Sequence, residues 1–150
     1  MKVTLERVNN SFQFEAIGST GIPVAIDASP QIGGHNKGAR PMELLLMGLG
    51  GCSGIDIIEI LKKQKQALES FYIDIEAERI PDKLPSIFKS IHLHFKLGGD
   101  LNTKFVERAI QLSLDKYCSV GAIISKTAEI NYSYEIIKIN KPGGGYGNDF

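Results

Sequence analysis

Two cysteines are the residues of this sequence best suited to chemistry. Cys52 lies in the stretch RPMELLLMGLGGCSGIDIIEIL, and Cys118 lies 66 positions later in YCSV. A deprotonated thiol is a strong nucleophile and oxidises reversibly to a sulfenic acid or a disulfide. A free cysteine can also be a small apolar residue of the core. The two thiols can act together only if the fold brings them close, which spacing alone cannot show.

The sequence around each thiol favours accessibility. Cys52 stands within GLGGCSG, where small residues leave space around its sulfur. Cys118 follows a predicted helix and precedes a further helical segment, and the positive end of a helix dipole lowers the pKa of a thiol placed there. We therefore expect Cys118 to be accessible and its pKa to be lowered.

Two charged residues stand at the start of the helix that carries Cys52. Pro41 suits the first turn of a helix, and Glu43 lies near the positive end of the dipole. Arg40 lies beside the same end, where a positive charge is unfavourable. Its side chain is therefore expected to be either solvated or functional. Glu43 and Cys52 are separated by about 14 Å along the helix axis, so they cannot touch within one helix.

The elements that must position these residues follow from the apolar pattern. Alternation and turn residues predict a three-stranded meander over residues 1–28, then a loop over 29–40. A long helix is expected from 41 to about 67, and a second helix, capped by Asn102, through 117. Further strands are predicted at 71–80, 89–97 and 127–139, with a short helical segment at 118–124. The predicted fold class is α+β, in a single domain of residues 1–150.

The long helix is unusual because its first half is apolar on nearly every side and holds interior glycines. Each such glycine costs about 1 kcal/mol relative to alanine unless closer packing offsets the loss. Gly50 and Gly54 lie one turn apart, and Gly48, Gly51 and Gly54 recur at a helical spacing, so one side is open to another backbone. The chain's own second helix could pack there, or the same helix of a second subunit. The large apolar area favours an obligate dimer.

Charge and composition exclude several classes of function. The 17 basic residues balance the 17 acidic ones, so no bulk field attracts nucleic acid or an anionic membrane. The longest apolar run, residues 44–49, is far shorter than the roughly 20 residues of a membrane span, and we expect none. The opening residues lack the apolar core of a secretory signal, so we expect a cytoplasmic protein whose cysteines are reduced thiols or a redox pair rather than a structural disulfide.

Other potential signals have simpler explanations. His92 and His94 share one face of a strand at a spacing that could hold a metal, but with Lys96 they are expected on the solvated face. Asp56 and Glu59 are expected to face solvent. The C-terminal KPGGGYG has neither a preceding strand nor a following helix, so we expect a flexible tail rather than a phosphate loop.

The cysteine-bearing helix, the β-region after it, a second helix and YCSV together resemble the OsmC/Ohr family, the osmotically inducible protein C and organic hydroperoxide resistance proteins. The resemblance covers almost the whole chain. It implies an OsmC-like fold that forms intertwined homodimers, in which two sheets surround paired central helices and the glycines admit the partner subunit. It also implies a role in oxidative or osmotic stress.

The resemblance assigns roles to the two thiols. Cys52 would attack a hydroperoxide and become a sulfenic acid, and Cys118 would resolve it as a disulfide, without metal, haem or flavin. In the family a loop Arg, oriented by a Glu in the first turn of the helix, holds the thiolate. Here Met42 occupies the usual Glu position and the only arginine of the loop is Arg40. Arg40 and Glu43 of one subunit would then face Cys52 of the other.

The partners implied by the resemblance are a second copy of the chain, a hydroperoxide and a thiol reductant. Two other functions stay open. The same dimer could bind a small apolar or thiol-reactive ligand without turnover, or it could use the disulfide as a redox-sensing switch. The separation of the two sulfurs and the nearest cation to Cys52 would distinguish these functions.

Overall fold

The computed structural model describes residues 1–139 and divides into two compact units, residues 1–48 and a second unit that begins at Leu49. The described residues form two three-stranded sheets and three α-helices, which is the α+β class that the sequence predicts. The single domain over residues 1–150 stays a prediction. The KPGGGYG segment, predicted to be a tail, lies outside the described residues.

The first unit is built on the predicted meander. Its antiparallel strands are β1 (Thr4–Arg7), β2 (Phe14–Ile17) and β3 (Pro23–Ile26), in that order across the sheet. Leu5, Ala16 and Val24 are paired across the three strands, so they share one face. Leu5 and Val24 are both exposed, which leaves an apolar face of this small sheet open in the single chain.

The loop after β3 is organised by a buried carboxylate. Asp27 is 1% exposed, and its two side-chain oxygens accept hydrogen bonds from the backbone N–H groups of Ala28 (2.8 Å), His35 (2.9 Å) and Lys37 (3.1 Å). These bonds hold the pKa of Asp27 below its ordinary value of 3.8, and the bond from the Lys37 N–H has the largest effect. Gly34 passes so close to the Ala28 carbonyl that a β-carbon would not fit. The long loop is therefore an ordered structure with its own internal bonds.

The long helix α1 spans Pro41–Lys63 and ends a few residues earlier than predicted. Glu43 Oε2 accepts a hydrogen bond from the Arg40 backbone N–H at 2.8 Å, which satisfies a free donor at the helix start. Lys62 and Lys63 lie in the last turn, where the helix dipole favours positive charge. The charges at both ends of α1 thus support the helix itself.

By length and composition alone, α1 is apolar enough to span a membrane, although its longest uninterrupted apolar run, residues 44–49, is short. Glycine, serine and cysteine interrupt its apolar runs without making the helix polar. The core helix of a soluble protein meets the same criteria. Leu49, Ile57 and Leu61 are at most 1% exposed, as residues on the buried side of a core helix are.

The second unit combines an antiparallel hairpin with a parallel strand. Strand β5 (Phe88–Asp100) is central, with β4 (Ala67–Arg79) antiparallel on one side and β6 (Glu129–Ile137) parallel on the other. The crossover from β5 to β6 contains α2 (Thr103–Leu112), a π-helical turn (Ser113–Tyr117) and α3 (Ser119–Ile124). Asn102 caps α2 as predicted, because its Oδ1 accepts from the Lys104 backbone N–H at 3.0 Å.

The core of the second unit lies on one face of this sheet. Alternate residues of β5 are buried on that face, and they are Ile91, Leu93, Phe95 and Leu97. The residues between them lie on the opposite face, as the alternation predicts. The crossover helix α2 adds Val106, Ala109 and Ile110 to the buried set. The helices therefore cover one side of the sheet and leave the other to solvent.

The glycines of α1 have different surroundings. A β-carbon on Gly50 would lie 2.7 Å from Ile75 Cδ1, and one on Gly54 would lie 2.9 Å from Ile73 Cδ1. Strand β4 of the same chain therefore packs on this shallow side at Gly50 and Gly54, and the approach of a second subunit stays a prediction. A β-carbon on Gly51 would meet nothing within 4 Å. Gly50 and Gly54, one turn apart, therefore allow α1 to pack closely on the sheet, whereas Gly51 lies on another side of the helix.

An exposed apolar side remains on α1. Met47 in the first half of the helix is 57% exposed, and Ile55 and Ile58 in the second half are 68% and 46% exposed, so the single chain leaves apolar residues of both halves uncovered. The reason is that the apolar surface of this helix exceeds what its own chain covers. A groove of about 630 Å³ lies on this side, and its lining residues are Ile55, Ile58, Glu59, Lys62 and Lys63.

Candidate redox site

The fold brings the two predicted cysteines together with a carboxylate. The sulfurs of Cys52 and Cys118 and a carboxylate oxygen of Asp56 all lie within 4.8 Å of one another. Both cysteines are free thiols. Cys52 and Asp56 lie one turn apart on the same side of α1, and Cys118 reaches them from the β5–β6 crossover. Two thiols this close can react with each other once one of them is oxidised.

The structure corrects two predictions about Cys118. Its side chain is buried, with only 2% of the residue exposed, rather than accessible. Burial raises the pKa of the Cys118 thiol to about 11 instead of lowering it. Cys118 does stand at the start of α3, where its Sγ accepts a hydrogen bond from the Gly121 backbone N–H at 3.3 Å. That bond lowers the pKa, but desolvation is the larger effect, and Cys52 and Asp56 raise the pKa further.

Cys52 differs from Cys118 in exposure. Cys52 is half-buried on α1, whereas Cys118 lies beneath the surface. A solute therefore reaches the sulfur of Cys52 more readily than that of Cys118. The site has one accessible thiol and one buried thiol beside it.

Asp56 is the site residue that the sequence analysis missed. It was expected to face solvent, but it is half-buried. Ser113, in the π-helical turn, places its Oγ 3.3 Å from Asp56 Oδ2 and 3.2 Å from the Ser53 carbonyl oxygen. The four-residue spacing between Cys52 and Asp56 was the available signal, since it puts both side chains on one side of a helix. The spacing could not show that the crossover packs on that side.

A cleft of about 350 Å³ leads from Asp56 to the surface. Its lining combines charged, polar and apolar side chains, namely Asp56, Glu59, Ile60, Lys63, Gln64, Leu112 and Tyr117. Glu59 and Lys63 form an ion pair of 2.8 Å whose side chains are both largely exposed. The buried Gln64 Oε1 has no hydrogen-bond partner within the described part of the chain. The carboxylate of Asp56 thus has a route to solvent.

Arg40 and Glu43 lie in the first unit, where the loop holds them. The Arg40 guanidinium donates hydrogen bonds to the carbonyl oxygens of Asp27 (3.1 Å) and Gly38 (3.2 Å) and to Asn36 Oδ1. Arg40 is half-buried, so its side chain is fixed by loop contacts rather than freely solvated. Glu43 accepts from the Arg40 backbone. The roles of both residues toward a thiol of a second subunit stay predictions.

Potential metal donors occur in two places. His92 and His94 lie on the outer face of the sheet, and one ring nitrogen of each is 2.7 Å from Ser133 Oγ. Within residues 1–139, the cysteine–aspartate site is where three donor side chains come close enough to share an ion. The resemblance implies thiol chemistry without a metal, and we assign no metal to either place.

Comparisons with known proteins identify relatives of this sequence and fold. A family model described as "OsmC-like protein" matches residues 34–133. Protein YhfA of Escherichia coli (strain K12) is 41% identical over 103 residues, which are 68% of this chain and 76% of that protein. A hypothetical protein from Aquifex aeolicus VF5 superposes with a TM-score of 0.81 at 32% identity, covering 93% of this chain and 97% of the other.

A more distant structure shows the same fold. The organic hydroperoxide resistance protein OsmC of Legionella pneumophila superposes with a TM-score of 0.65 at 20% identity, over 89% of this chain and 95% of the other. The family match covers more than half of the chain and both cysteines. The chain belongs to the OsmC-like protein family.

Proposed function

We propose that this protein is a thiol-dependent hydroperoxide reductase that uses Cys52 and Cys118 in a two-cysteine cycle. The observation that carries the proposal is the pairing of a half-buried thiol with a buried thiol, with their sulfurs within 4.8 Å of each other. The printed names of relatives support the reaction class. The Legionella protein is called an organic hydroperoxide resistance protein and a predicted redox protein, and OhrB of Bacillus subtilis carries a similar name.

In the first step the Cys52 thiolate attacks one oxygen of the hydroperoxide. A sulfur–oxygen bond forms, the oxygen–oxygen bond breaks, and the alkoxide takes a proton to leave as the alcohol. Cys52 becomes a sulfenic acid, oxidised by two electrons, and the peroxide is reduced by two electrons. Cys52 takes this role because it is the thiol that a solute can reach.

In the second step Cys118 attacks the sulfur of the sulfenic acid. A disulfide forms, the sulfur–oxygen bond breaks, and water leaves. An external thiol reductant then restores both thiols by exchange. The short separation of the sulfurs supports this step, since a disulfide requires close approach of the two side chains.

A thiolate at Cys52 needs a nearby positive charge, and we propose that a homodimer supplies it. Arg40 and Glu43 of one subunit would face Cys52 of the other, with Glu43 orienting Arg40. Two features support self-association: the exposed side of α1 around Ile55 and Ile58, and the open face of the first sheet. Members of the family are commonly homodimers. A stress-response role in the cytoplasm belongs to the same proposal.

The test is a short exposure of the reduced protein to an organic hydroperoxide, followed by intact-mass spectrometry. We expect the wild type to lose two hydrogens as the Cys52–Cys118 disulfide forms. The Cys118→Ser variant should stop at the sulfenic acid or oxidise further, and Cys52→Ser should not react. Arg40→Ala should slow the first step, because it removes the charge that holds the thiolate.

The Arg108→Ala variant is the matched control, since it removes an exposed arginine from α2. It should react at the wild-type rate. If Cys52 stays reduced under excess hydroperoxide while methionines oxidise, the proposed hydroperoxide reductase activity is wrong. A dimer that binds a small apolar or thiol-reactive ligand without turnover then becomes the better account of the site.

A further inference from the structure

We propose that Asp56 carries the proton of the resolving step: its carboxylate accepts the proton of Cys118 and passes it to the oxygen that leaves Cys52. This inference rests on the proposed function, in which Cys118 attacks an oxidised Cys52. It gives a role to the one site residue that the family resemblance does not assign.

The geometry supports a single carboxylate that serves both sulfurs. An Asp56 oxygen lies within 4.8 Å of the sulfur of Cys52 and of the sulfur of Cys118. A base acts directly or through one water, and such distances often shorten when the reactants are in place. The Ser113 hydroxyl donates a hydrogen bond to Asp56 Oδ2 at 3.3 Å, which restricts the movement of the carboxylate. The cleft that Asp56 lines connects it to solvent for proton exchange.

The chemistry of the buried thiol creates the need for a base. Cys118 is protonated at neutral pH because burial raises its pKa to about 11. Only the thiolate is an effective nucleophile, so the proton must leave before or during the attack. A base beside the sulfur removes it without requiring the thiolate to exist free in the core.

The other titratable groups near the site are less suited to this transfer. Cys52 is the reaction partner and carries the leaving oxygen. Glu59 and Lys63 are paired with each other at the outer part of the cleft, and Tyr117 lines the same cleft. Glu59 has a 60% exposed side chain. Among the described residues, Asp56 is the carboxylate grouped with both sulfurs.

The transfer balances atoms and charge. Asp56 accepts a proton from the Cys118 thiol, and the Cys118 sulfur forms a bond to the Cys52 sulfur. The bond between the Cys52 sulfur and its oxygen breaks, and the leaving hydroxide takes the proton from Asp56. A sulfenic acid and a thiol become a disulfide and water, and Asp56 returns to its carboxylate form.

The main experiment follows the second step alone in the full-length protein. Cys52 is oxidised with a slight excess of organic hydroperoxide, and trapping with dimedone followed by mass spectrometry measures the conversion of sulfenic acid to disulfide. At neutral pH we expect Asp56→Asn to slow this conversion roughly 100-fold, the typical contribution of general acid–base catalysis. Its residual rate should rise about tenfold per pH unit, because only hydroxide then deprotonates Cys118.

The wild type provides a measurement that needs no substitution. Its conversion rate should be flat through the neutral range, because an internal base rather than hydroxide takes the proton of Cys118. A wild-type rate that rises about tenfold per pH unit through the neutral range would overturn the inference, as it would show that no internal base takes part. All reactions contain a chelator, so that a metal held by the thiols cannot produce the same profile.

Two further variants separate the chemistry from local structure. Glu59→Gln removes a carboxylate from the same cleft and should convert at the wild-type rate. Asp56→Glu keeps a carboxylate at the site and should recover a substantial part of the rate and the flat pH profile. If Asp56→Asn converts as fast as the wild type with the same profile, Asp56 is not the proton carrier.

A second reaction distinguishes failure of this inference from failure of the proposed function. Oxidised glutathione forms a mixed disulfide with Cys52, and Cys118 then attacks the Cys52 sulfur and releases glutathione. Asp56→Asn should slow that release to the same degree even if Cys52 does not react with hydroperoxides. Release at the wild-type rate in Asp56→Asn would reject the role of Asp56 by itself.

Discussion

At the scale of single residues, Cys118 shows how two opposing effects act on one sulfur. The start of a helix favours a thiolate, and the Gly121 N–H does donate to this sulfur. Removal from water disfavours the same thiolate, and here it is the larger effect. The helix α3 has only six residues, so its dipole is weak. Burial therefore determines the ionisation state.

The raised pKa predicts that stability depends on pH in the alkaline range. The folded chain keeps the Cys118 proton up to a pH of about 11, whereas the unfolded chain releases it near the ordinary 9.0. The unfolded state is thus favoured as the pH rises between these values, by at most about 1.4 kcal/mol per pH unit. Below the ordinary pKa both states hold the proton and the effect disappears.

The measurement is urea unfolding at several alkaline pH values with a phosphine reductant present. Cys118→Ser lacks the ionisable group, so its free energy of unfolding should fall less steeply than that of the wild type. The difference between the two proteins isolates Cys118 from the lysines and tyrosines that titrate in both. Parallel pH curves would show that the folded thiol ionises normally.

The sequence predicted both cysteines as the reactive residues, because few other side chains combine nucleophilicity with such specific surroundings. Local patterns predicted neither their proximity, which only the family resemblance implied, nor the inclusion of Asp56. Both depend on where the crossover between β5 and β6 packs on α1, and no local pattern encodes that contact. Asp56 belongs to an ordinary amphipathic segment, IDIIEILKK, in which a charged residue normally faces solvent.

At the scale of elements, the loop between β3 and α1 is held by its own hydrogen bonds. Asp27 bonds three backbone N–H groups of this loop, and Arg40 bonds two of its carbonyl oxygens. The backbone polar groups of a long loop must find partners, and here two side chains supply them. The composition of the segment predicted a loop, but it did not identify Asp27 as the residue that bonds its backbone.

We predict that Asp27→Asn loosens this loop. One carboxylate oxygen becomes an amide nitrogen, which cannot accept the N–H bonds of His35 and Lys37. Amide hydrogen exchange measured by mass spectrometry should become faster across residues 27–40, while exchange in the second unit is unchanged. Since the pKa of Asp27 lies below 3.8, the wild-type loop should keep its protection in mildly acidic buffer and lose it only under stronger acid.

Asp100→Asn serves as the control, because Asp100 is an exposed carboxylate at the end of β5. Its exchange pattern across residues 27–40 should match that of the wild type. Equal protection of the loop in Asp27→Asn and the wild type would contradict the prediction.

At the scale of the whole molecule, the single chain leaves apolar surface unoccupied. The side of α1 around Gly51, Ile55 and Ile58 is open, and so is one face of the first sheet. Contiguous exposed apolar surface in a soluble protein commonly marks an interface. The apolar excess of α1 was visible in the sequence. The sequence did not show which side of the helix the chain itself covers, because that depends on the packing of β4.

Two glycine substitutions should separate assembly from folding. Light scattering should give the wild type at micromolar concentration twice the 16.4 kDa mass of one chain. Gly51→Leu places its side chain in the open space, so the chain should fold but lose the dimer. Gly54→Leu forces a side chain against Ile73, and such overpacking lowers stability by about 1 to 3 kcal/mol.

The mass in solution and the thermal midpoint measure these two effects independently. A wild type that is monomeric, or a Gly51→Leu protein that keeps the full dimer mass, would contradict the proposed interface. A Gly54→Leu protein with an unchanged thermal midpoint would contradict the close packing of α1 on β4.

The position of Cys118 in the crossover determines how much of the chain a disulfide with Cys52 would enclose. A bond between Cys52 and Cys118 would close a covalent loop of 66 positions that contains β4, β5 and α2. Closing such a loop restricts the unfolded chain and, by loop entropy, favours the folded state by about 4 kcal/mol. The oxidised protein would thus resist heat and proteolysis more than the reduced protein, so that exposure to oxidants lengthens the lifetime of the molecule that responds to them.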